Sequence, residues 1–360
     1  MPASVSLQWQ RLPAAALLTD GALQAEWNRL NAARRDLPFM TATAVNAALK
    51  AFGEGGEALA IARRDGQVRA MLLLTPEGRR GWRTFQPSQL PLGAWVAEAE
   101  LPTQALADSL QRGPLGLCPV LSFTQVDPWL APREEDGASS TRADYIETGW
   151  IDIAGSFDDY WAQRGKNLRQ NMRKQRSKLA AEGVVVTLRS LTDAADMAGA
   201  IARYGALESA GWKASQGTAI HLDNAQGRFY RELLETAAAE GGALVHECLF
   251  DERTVAINLC VRRGDTLVVL KTTYDESIQN LSPAFLLNQD AVKAVFDEGR
   301  IRRLEYYGRL MDWHTKWTDN KRVLYHLTSY RWPLLKRFAA HRARSRSAPE
   351  PEPAALASSA

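Results

Sequence analysis

Cysteine is scarce in this 360-residue chain, and Cys118, Cys248 and Cys260 form no CxxC pair and no Cys/His group at zinc spacing. A disulfide scaffold and a structural zinc site are thereby excluded. Cys248 and Cys260, set in apolar runs, read as small buried hydrophobes. His221, His246, His326 and His341 also lack metal-ligand spacing, so no metal is expected. The absence of GxSxG, P-loop and GxGxxG motifs argues against a hydrolase, an NTPase and a dinucleotide-binding enzyme. No stretch of about 18 apolar residues occurs, so no transmembrane segment is expected. The N-terminal MPASVSLQWQRLPAAALLTDG has no basic stretch followed by a sustained apolar one. It does not read as a signal peptide, and a cytoplasmic location is the expectation.

Net charge is small as well. The 44 basic and 41 acidic residues leave +3, too little to mark a nucleic-acid binder, and DNA is not an expected partner. The distribution is uneven, however. Residues 164–178 carry seven basic side chains and no acidic one, and residues 300–346 carry thirteen basic and three acidic. The remainder is therefore acidic. The two basic segments are predicted to converge on a localised anion-binding face beside Ser282.

Hydrophobic residues make up 46% and charged residues 24%, the balance of a globular chain long enough for two compact units. In the first half, helices are predicted over 22–35 and 41–52, the second capped by Thr41 or Thr43. A hairpin over 57–78 turns at Asp65-Gly66, short strands follow, and 131–144 reads as a polar loop. In the second half the pattern predicts a helix over 157–181, a strand over 184–191 and helices over 193–210 and 226–240. Strands over 243–250, 254–263 and 266–274 come next. A helix over 283–298 then starts with Ser282 as N-cap and Pro283 in its first position, and a strand covers 301–308. From residue 341 the composition turns to Pro, Ser and Ala, as in a disordered tail. Helix pair, antiparallel meander, helix and final strand make an α/β (α+β) order with one parallel contact.

Three stretches of the second half carry a family signal. They are FDDYWAQRGKNLRQNMRKQRSKLAAEG, ESAGWKASQGTAI, and LKTTYDESIQNLSPAFLLNQDAVKAVFDEG followed by LEYYG and MDWHTKW. The first half adds EWNRL, DLPFMTATAVNAAL and a hairpin ending in MLLL. Over residues 20–335 the chain resembles the CelD-like group of GNAT-superfamily N-acetyltransferases. That group is related in architecture to the Fem transferases, which add amino acids to peptidoglycan. The resemblance implies two GNAT-like halves, residues 1–150 and 151–340, ahead of the tail at 341–360, each a mostly antiparallel mixed sheet flanked by helices. It implies an acyl-CoA-dependent N-acyltransferase with acetyl-CoA or another acyl-CoA as co-substrate, held by the second half. The acceptor would be a small-molecule amine, such as an amino sugar or another cell-envelope or polysaccharide precursor, bound between the halves. Two alternatives stand beside it: an aminoacyl-tRNA-dependent Fem-like transferase, and a non-catalytic partner in exopolysaccharide assembly. The chain departs from the group in having Ala284 where glycine is common, and in lacking a phosphate loop of closely spaced glycines.

The chemistry nominates particular residues. A helix start presents unpaired N–H groups and a positive dipole end. Pro283 has no N–H, so Ala284 and Phe285 would donate. Together with Ser282 they are the expected seat of the CoA pyrophosphate. Lys166, Arg169, Arg173 and Arg176 share one helical face, and Arg169 and Arg173 are the expected contacts to an anionic ligand. That ligand would be the CoA 3′-phosphate, a tRNA acceptor end or a phosphorylated sugar carrier. Trp212 and Lys213 in a loop, and Lys271 and Tyr274 on a strand, are substrate-binding candidates. Attack of an amine on a thioester needs a proton acceptor and donors to steady the oxyanion. Glu305, Asp312 and His314 are candidate bases, and Tyr307 or Tyr306 would protonate the leaving thiolate.

Overall fold

A computed structural model of the chain describes residues 7–210 and 220–347. β1 (Gln8–Pro13) leads into α1 (Ala15–Thr19) and α2 (Gly21–Ala33). The Asp20 carboxylate starts α2 by accepting from the N–H groups of Ala22 and Leu23. α3 (Ala42–Phe52) starts at Thr41, whose hydroxyl accepts from Ala44 N–H at 3.2 Å. β2 (Ala58–Arg64) and β3 (Gln67–Glu77) form the expected hairpin. Asp65 and Gly66 both take positive φ, 53° and 77°, which matches the twist of the flanking strands. β4 (Gly81–Thr84), β5 (Trp95–Ala97), α4 (Thr103–Arg112), β6 (Val120–Val126) and β7 (Ser140–Asp152) follow.

The single helix expected over 157–181 is two, α5 (Phe157–Ala162) and α6 (Lys166–Ala181). Gly165 between them takes an extended conformation (φ −53°, ψ 137°), which breaks the helical ladder. β8 (Val186–Leu191), α7 (Ala194–Ala210), α8 (Ala225–Ala239), β9 (Ala243–Phe250), β10 (Arg253–Arg263), β11 (Thr266–Tyr274) and α9 (Pro283–Glu298) follow the expected order. The strand expected over 301–308 shrinks to β12 (Arg303–Glu305). β13 (Lys321–Tyr330) and α10 (Pro333–Ser347) end the described chain, and α10 extends past residue 341 into the segment expected as a tail.

All strands join one 13-stranded mixed sheet in the order β1-β2-β3-β4-β6-β13-β7-β12-β11-β10-β9-β8, with β5 added on β3. The order contains the same motif twice. β1 to β4 are antiparallel neighbours and β4 pairs in parallel with β6; β8 to β11 are antiparallel neighbours and β11 pairs in parallel with β12. Each motif is completed by a strand from outside its own run of sequence, the first by β13 from the C-terminal end and the second by β7, which precedes α5. β13 pairs with β6, β7 pairs with β12, and β7 and β13 pair with each other. The halves are thus stitched by exchanged strands, and a boundary at residue 150 falls inside β7. α5, α6 and α9 pack on one face of the second motif through Phe157, Leu168, Met172, Leu286 and Val292. α7 and α8 pack on the other face and meet α3, where Phe52 and Phe229 lie 5.5 Å apart.

Candidate active site

β11 and β12 pair only over Thr266–Val268 and Arg303–Glu305, yet β11 runs on to Tyr274. Beyond Val268 the two parallel strands part. A short turn, Glu276–Leu281, then returns the chain so that α9 begins beside the opening. A cavity of about 330 Å³ lies there, lined by Thr272 and Tyr274 of β11, Gln279 of the turn, Ser282 to Phe285 and Asn288 of α9, and Trp313.

The start of α9 is built differently from the expected N-cap. Ser282 sits in the left-handed region (φ 56°, ψ 46°), unusual for a non-glycine residue, and its side chain caps nothing. Its hydroxyl instead meets Asn171 Nδ2 of α6 at 3.4 Å. The N–H groups of Phe285 and Leu286 turn back on the Ser282 carbonyl, at 3.1 Å each. Phe285 is therefore not the open donor that its position in sequence suggests. With Pro283 lacking an N–H, Ala284 N–H is left as the donor of this first turn without an acceptor among the described residues. One turn further on, Asn288 is oriented from beneath. Thr272 Oγ1 donates to Asn258 Oδ1 at 2.8 Å, and Asn258 Nδ2 donates to Asn288 Oδ1 at 3.1 Å. With its oxygen engaged, Asn288 has Nδ2 to offer a ligand.

Phe285 also borders a larger groove of about 690 Å³ along the α5–α6 junction. Arg164, Lys166 and Lys316 line it against a single acid, Asp319. Part of the predicted convergence is realised here, since α6 lies against Ser282 and Lys316 comes from the second basic segment. The rest of that segment goes elsewhere. Arg331 donates to the Gly116 carbonyl at 3.2 Å and Lys336 to the Gly137 carbonyl at 2.8 Å, both in the first half of the chain. Within α6, Arg169 Nε folds back on the Arg164 carbonyl (3.0 Å), Arg173 is exposed, and Arg176 pairs with Asp290 of α9 at 2.6 Å. Arg169 and Arg173 line neither cavity; Arg164, Lys166 and Lys316 do.

The other nominated residues divide. Tyr274 lines the cavity, as do Ser282, Ala284 and Phe285. Lys271 points to the opposite face of the sheet, its Nζ 5.9 Å from the Tyr230 ring centroid of α8. The strand irregularity at Leu259/Cys260 shifts the register beside it. Trp212 and Lys213 lie outside the described residues.

Glu305 is fully buried and faces away from α9, because Leu304 fills the α9-side core and neighbouring strand residues alternate. It pairs with Arg303 at 2.5 Å and lies 3.0 Å from Arg322 Nη2. Tyr307 is buried on the same face and donates to Asp127 at 2.9 Å. Both belong to an ion-pair network between the halves and not to the cavity. Asp312 is exposed, with its carbonyl taken by the Thr315 hydroxyl at 2.8 Å. His314 is buried behind Trp313, and its Nδ1 accepts the Met311 N–H at 2.9 Å. Burial holds this imidazole down at about 4. A neutral ring whose Nδ1 accepts carries its proton on Nε2, so His314 is built as a donor. Tyr306 is buried with its ring edge-on to Trp313 and His314, and burial pushes its hydroxyl well above the usual range.

The cavity thus holds hydrogen-bond donors, one phenol and apolar walls, with no carboxylate or imidazole among the described residues that line it. Thr272, Gln279, Asn288, Trp313 and Lys316 were not nominated as site residues by the sequence reading, whereas Arg164 and Lys166 belong to the basic segment it singled out. Two signals pointed to some of them. Thr272 alternates with Tyr274 on β11, and Asn288 lies one helical turn beyond Ala284. A third groove, of about 540 Å³, opens between the halves at Phe52, Arg83, Phe85 and Asn224 to Gln226 and shares no residue with this site.

A parallel strand pair that opens onto a helix start is the architecture of the GNAT fold, and comparison with known proteins gives the same fold. Residues 166–316 match the family described as acetyltransferase (GNAT) domain, a span that runs from α6 through Lys316 and contains the cavity. Among solved structures, the chain is similar to the C-terminal domain of a protein from Agrobacterium fabrum assigned as a lysylphosphatidylglycerol synthetase. Identity is 13%, 90% of this chain and 96% of that one are covered, and the TM-score is 0.56. It is also similar to FemX, at 9% identity over 86% of this chain and 97% of that one, with a TM-score of 0.54. No curated protein matches it by sequence. The chain shares the GNAT fold of these structures, and the match to the acetyltransferase domain falls in its second half.

Proposed function

We propose that the protein is an acyl-CoA-dependent N-acyltransferase that transfers an acyl group, in the first instance acetyl, to an amine. The observation that carries this reading is the pair of donors, Ala284 N–H and Asn288 Nδ2, at a cavity formed where β11 and β12 part. The thioester arm would enter the 330 Å³ cavity, and the phosphates would lie toward Arg164, Lys166 and Lys316 in the adjoining groove. The amine nitrogen attacks the thioester carbonyl, a C–N bond forms and the C–S bond breaks. One of the two donors steadies the oxygen as charge builds on it. Among the described residues no carboxylate or imidazole lines the cavity; in this reading water takes the amine proton, and Tyr274 is the group placed to protonate the thiolate. An amino sugar or another cell-envelope or polysaccharide precursor is the acceptor class we favour, on the family resemblance alone.

The reading is tested by calorimetry with acetyl-CoA. Saturable binding that Asn288→Ala weakens supports it, and absence of binding to folded protein at millimolar ligand refutes the acetyl-donor version. The basic groove and the fold shared with FemX favour one other reading, an aminoacyl-tRNA donor. Tight, salt-sensitive tRNA binding lost in Lys166→Glu would select it.

A further inference from the structure

The outer face of α10 combines two properties that soluble helices keep apart. Among the described residues, Trp332, Leu334 and Phe338 are three of seven exposed large hydrophobics, with 45%, 61% and 65% of their surface in solvent. They fall within one turn-and-a-half of chain. A fourth, Leu117, adjoins them, since Arg331 donates to the carbonyl of its neighbour Gly116. α10 rests on the protein through Leu335, Lys336 and Ala339, which are half-buried, and Lys336 Nζ lies 3.9 Å from Asp136. Leu334, Arg337, Phe338 and His341 are exposed, at the spacing of a single helical face. Over Arg331 to Arg346 the sequence has six Arg or Lys residues and no acid.

We propose that α10 is an interfacial helix that docks the protein on an anionic lipid surface. Trp332, Leu334 and Phe338 enter the headgroup region while Arg337 and Arg342 pair with lipid phosphates. Charge complementarity selects this occupant. A second copy would set the same basic segment, which carries no acidic residue of its own, against itself. A nucleic-acid backbone would satisfy the arginines but leave Leu334 and Phe338 in water, whereas a bilayer interface takes both kinds of group. The association is with the surface, because no described helix is long and apolar enough to cross a membrane. The inference stands apart from the acyltransfer reading and shares no residue with it.

The test is vesicle flotation of the full chain with phosphatidylcholine alone and with phosphatidylcholine containing phosphatidylglycerol. Binding is expected only to the anionic vesicles and is expected to weaken as salt is raised. Leu334→Asp/Phe338→Asp should abolish it. Arg337→Ala/Arg342→Ala should lower partitioning roughly thirtyfold. These side chains are exposed, and unchanged circular dichroism and thermal midpoint confirm the fold of each variant. If the aspartate variant misfolds, the arginine variant and the lipid series decide. The proposal is overturned if wild type does not float with anionic vesicles at low salt. It is also overturned if either double variant floats as well as wild type, or if the aspartate substitutions instead abolish a concentration-dependent dimer or an RNA complex.

Discussion

Arg322 joins two buried carboxylates, and its loss should cost the fold several kcal/mol. It lies on β13, a strand from the end of the chain inserted between β6 and β7. Its guanidinium donates to Asp127 through Nε at 2.8 Å and Nη2 at 2.6 Å, and Nη2 also lies 3.0 Å from Glu305. Asp127 and Glu305 are both fully buried. Arg303 completes the network, stacked between Trp129 and Trp150 at 4.2 and 4.3 Å. Burial pushes the Glu305 carboxyl above its ordinary value against the pull of Arg322 and Arg303. Burial alone would depress the Arg322 guanidinium, but the hydrogen bonds and charge of Asp127, with the charge of Glu305, override it and hold the group above its usual range. Arg322→Met would strand two carboxylates. Breaking a buried pair in this way costs roughly 3–5 kcal/mol. Asp127 keeps the Tyr307 hydroxyl and the Trp129 N–H, and Glu305 keeps Arg303, so the lower end, about 3 kcal/mol, is expected. Equilibrium denaturation in urea measures it, with an unchanged slope as the sign that a two-state comparison holds. Arg322→Lys should be intermediate, since it restores charge without the two-pronged donor. Arg322→Met/Asp127→Asn should recover part of the loss. If Arg322→Met lies within about 1 kcal/mol of wild type at constant slope, the network is worth no more than a surface ion pair and the reasoning fails.

Further outcomes follow from the same geometry. Burial holds the His246 imidazole at about 4 against an ordinary 6.5, with Ser190 Oγ 2.9 Å from Nδ1. A folded-state value below the unfolded one gives stability that is full above pH 6.5 and lost as pH falls through that value toward 4. The loss reaches roughly 3 kcal/mol. His314 acts in the same window with the same sign, so His246→Gln should flatten the pH dependence of urea denaturation in part; no flattening at all refutes the assignment. Asn288→Ala should lower turnover about a hundredfold if its Nδ2 steadies the oxyanion, and steady-state kinetics showing a raised KM alone would assign it to ground-state binding. Ser282→Gly should stabilise the fold by about 1 kcal/mol through relief of the left-handed backbone, as read by thermal or urea denaturation. Lys166→Glu/Lys316→Glu should raise the acyl-CoA KM while leaving kcat unchanged, with an effect that shrinks as salt is added.

Much of the fold was legible in sequence because its signals are local. The hairpin at Asp65-Gly66, the strands over 243–274 and the helix behind Pro283 declare themselves through turn chemistry and apolar periodicity. The exchanged strands did not. β7 begins within a stretch rich in turn residues, and part of it is exposed; β13 mixes polar and apolar residues. Their strand character comes from pairing with each other and with distant partners. The break at Gly165 was masked by good helix formers on both sides. Among site residues, those at the start of α9 were found because Ser-Pro marks a helix entrance. Asn288 and Trp313 were not, since nothing in their own neighbourhood shows that they face a cavity.

By itself the sequence determined much of the element order, the helix entrance at Ser282 to Phe285, the concentration of positive charge on α6 and the GNAT resemblance, all readable from residues close in the chain. Only the tertiary structure decided which face of the sheet each polar residue occupies. A strand reverses its side chains at every residue, so Tyr274 lines the cavity while Lys271 meets α8, and Leu304 fills the α9 core while Glu305 binds Arg322 on the other side. The catalytic candidates Glu305 and Tyr307 became a structural joint between halves for that reason. The cavity's donors, Ala284 N–H and Asn288 Nδ2, emerged from contacts among β10, β11 and α9 that no local pattern records.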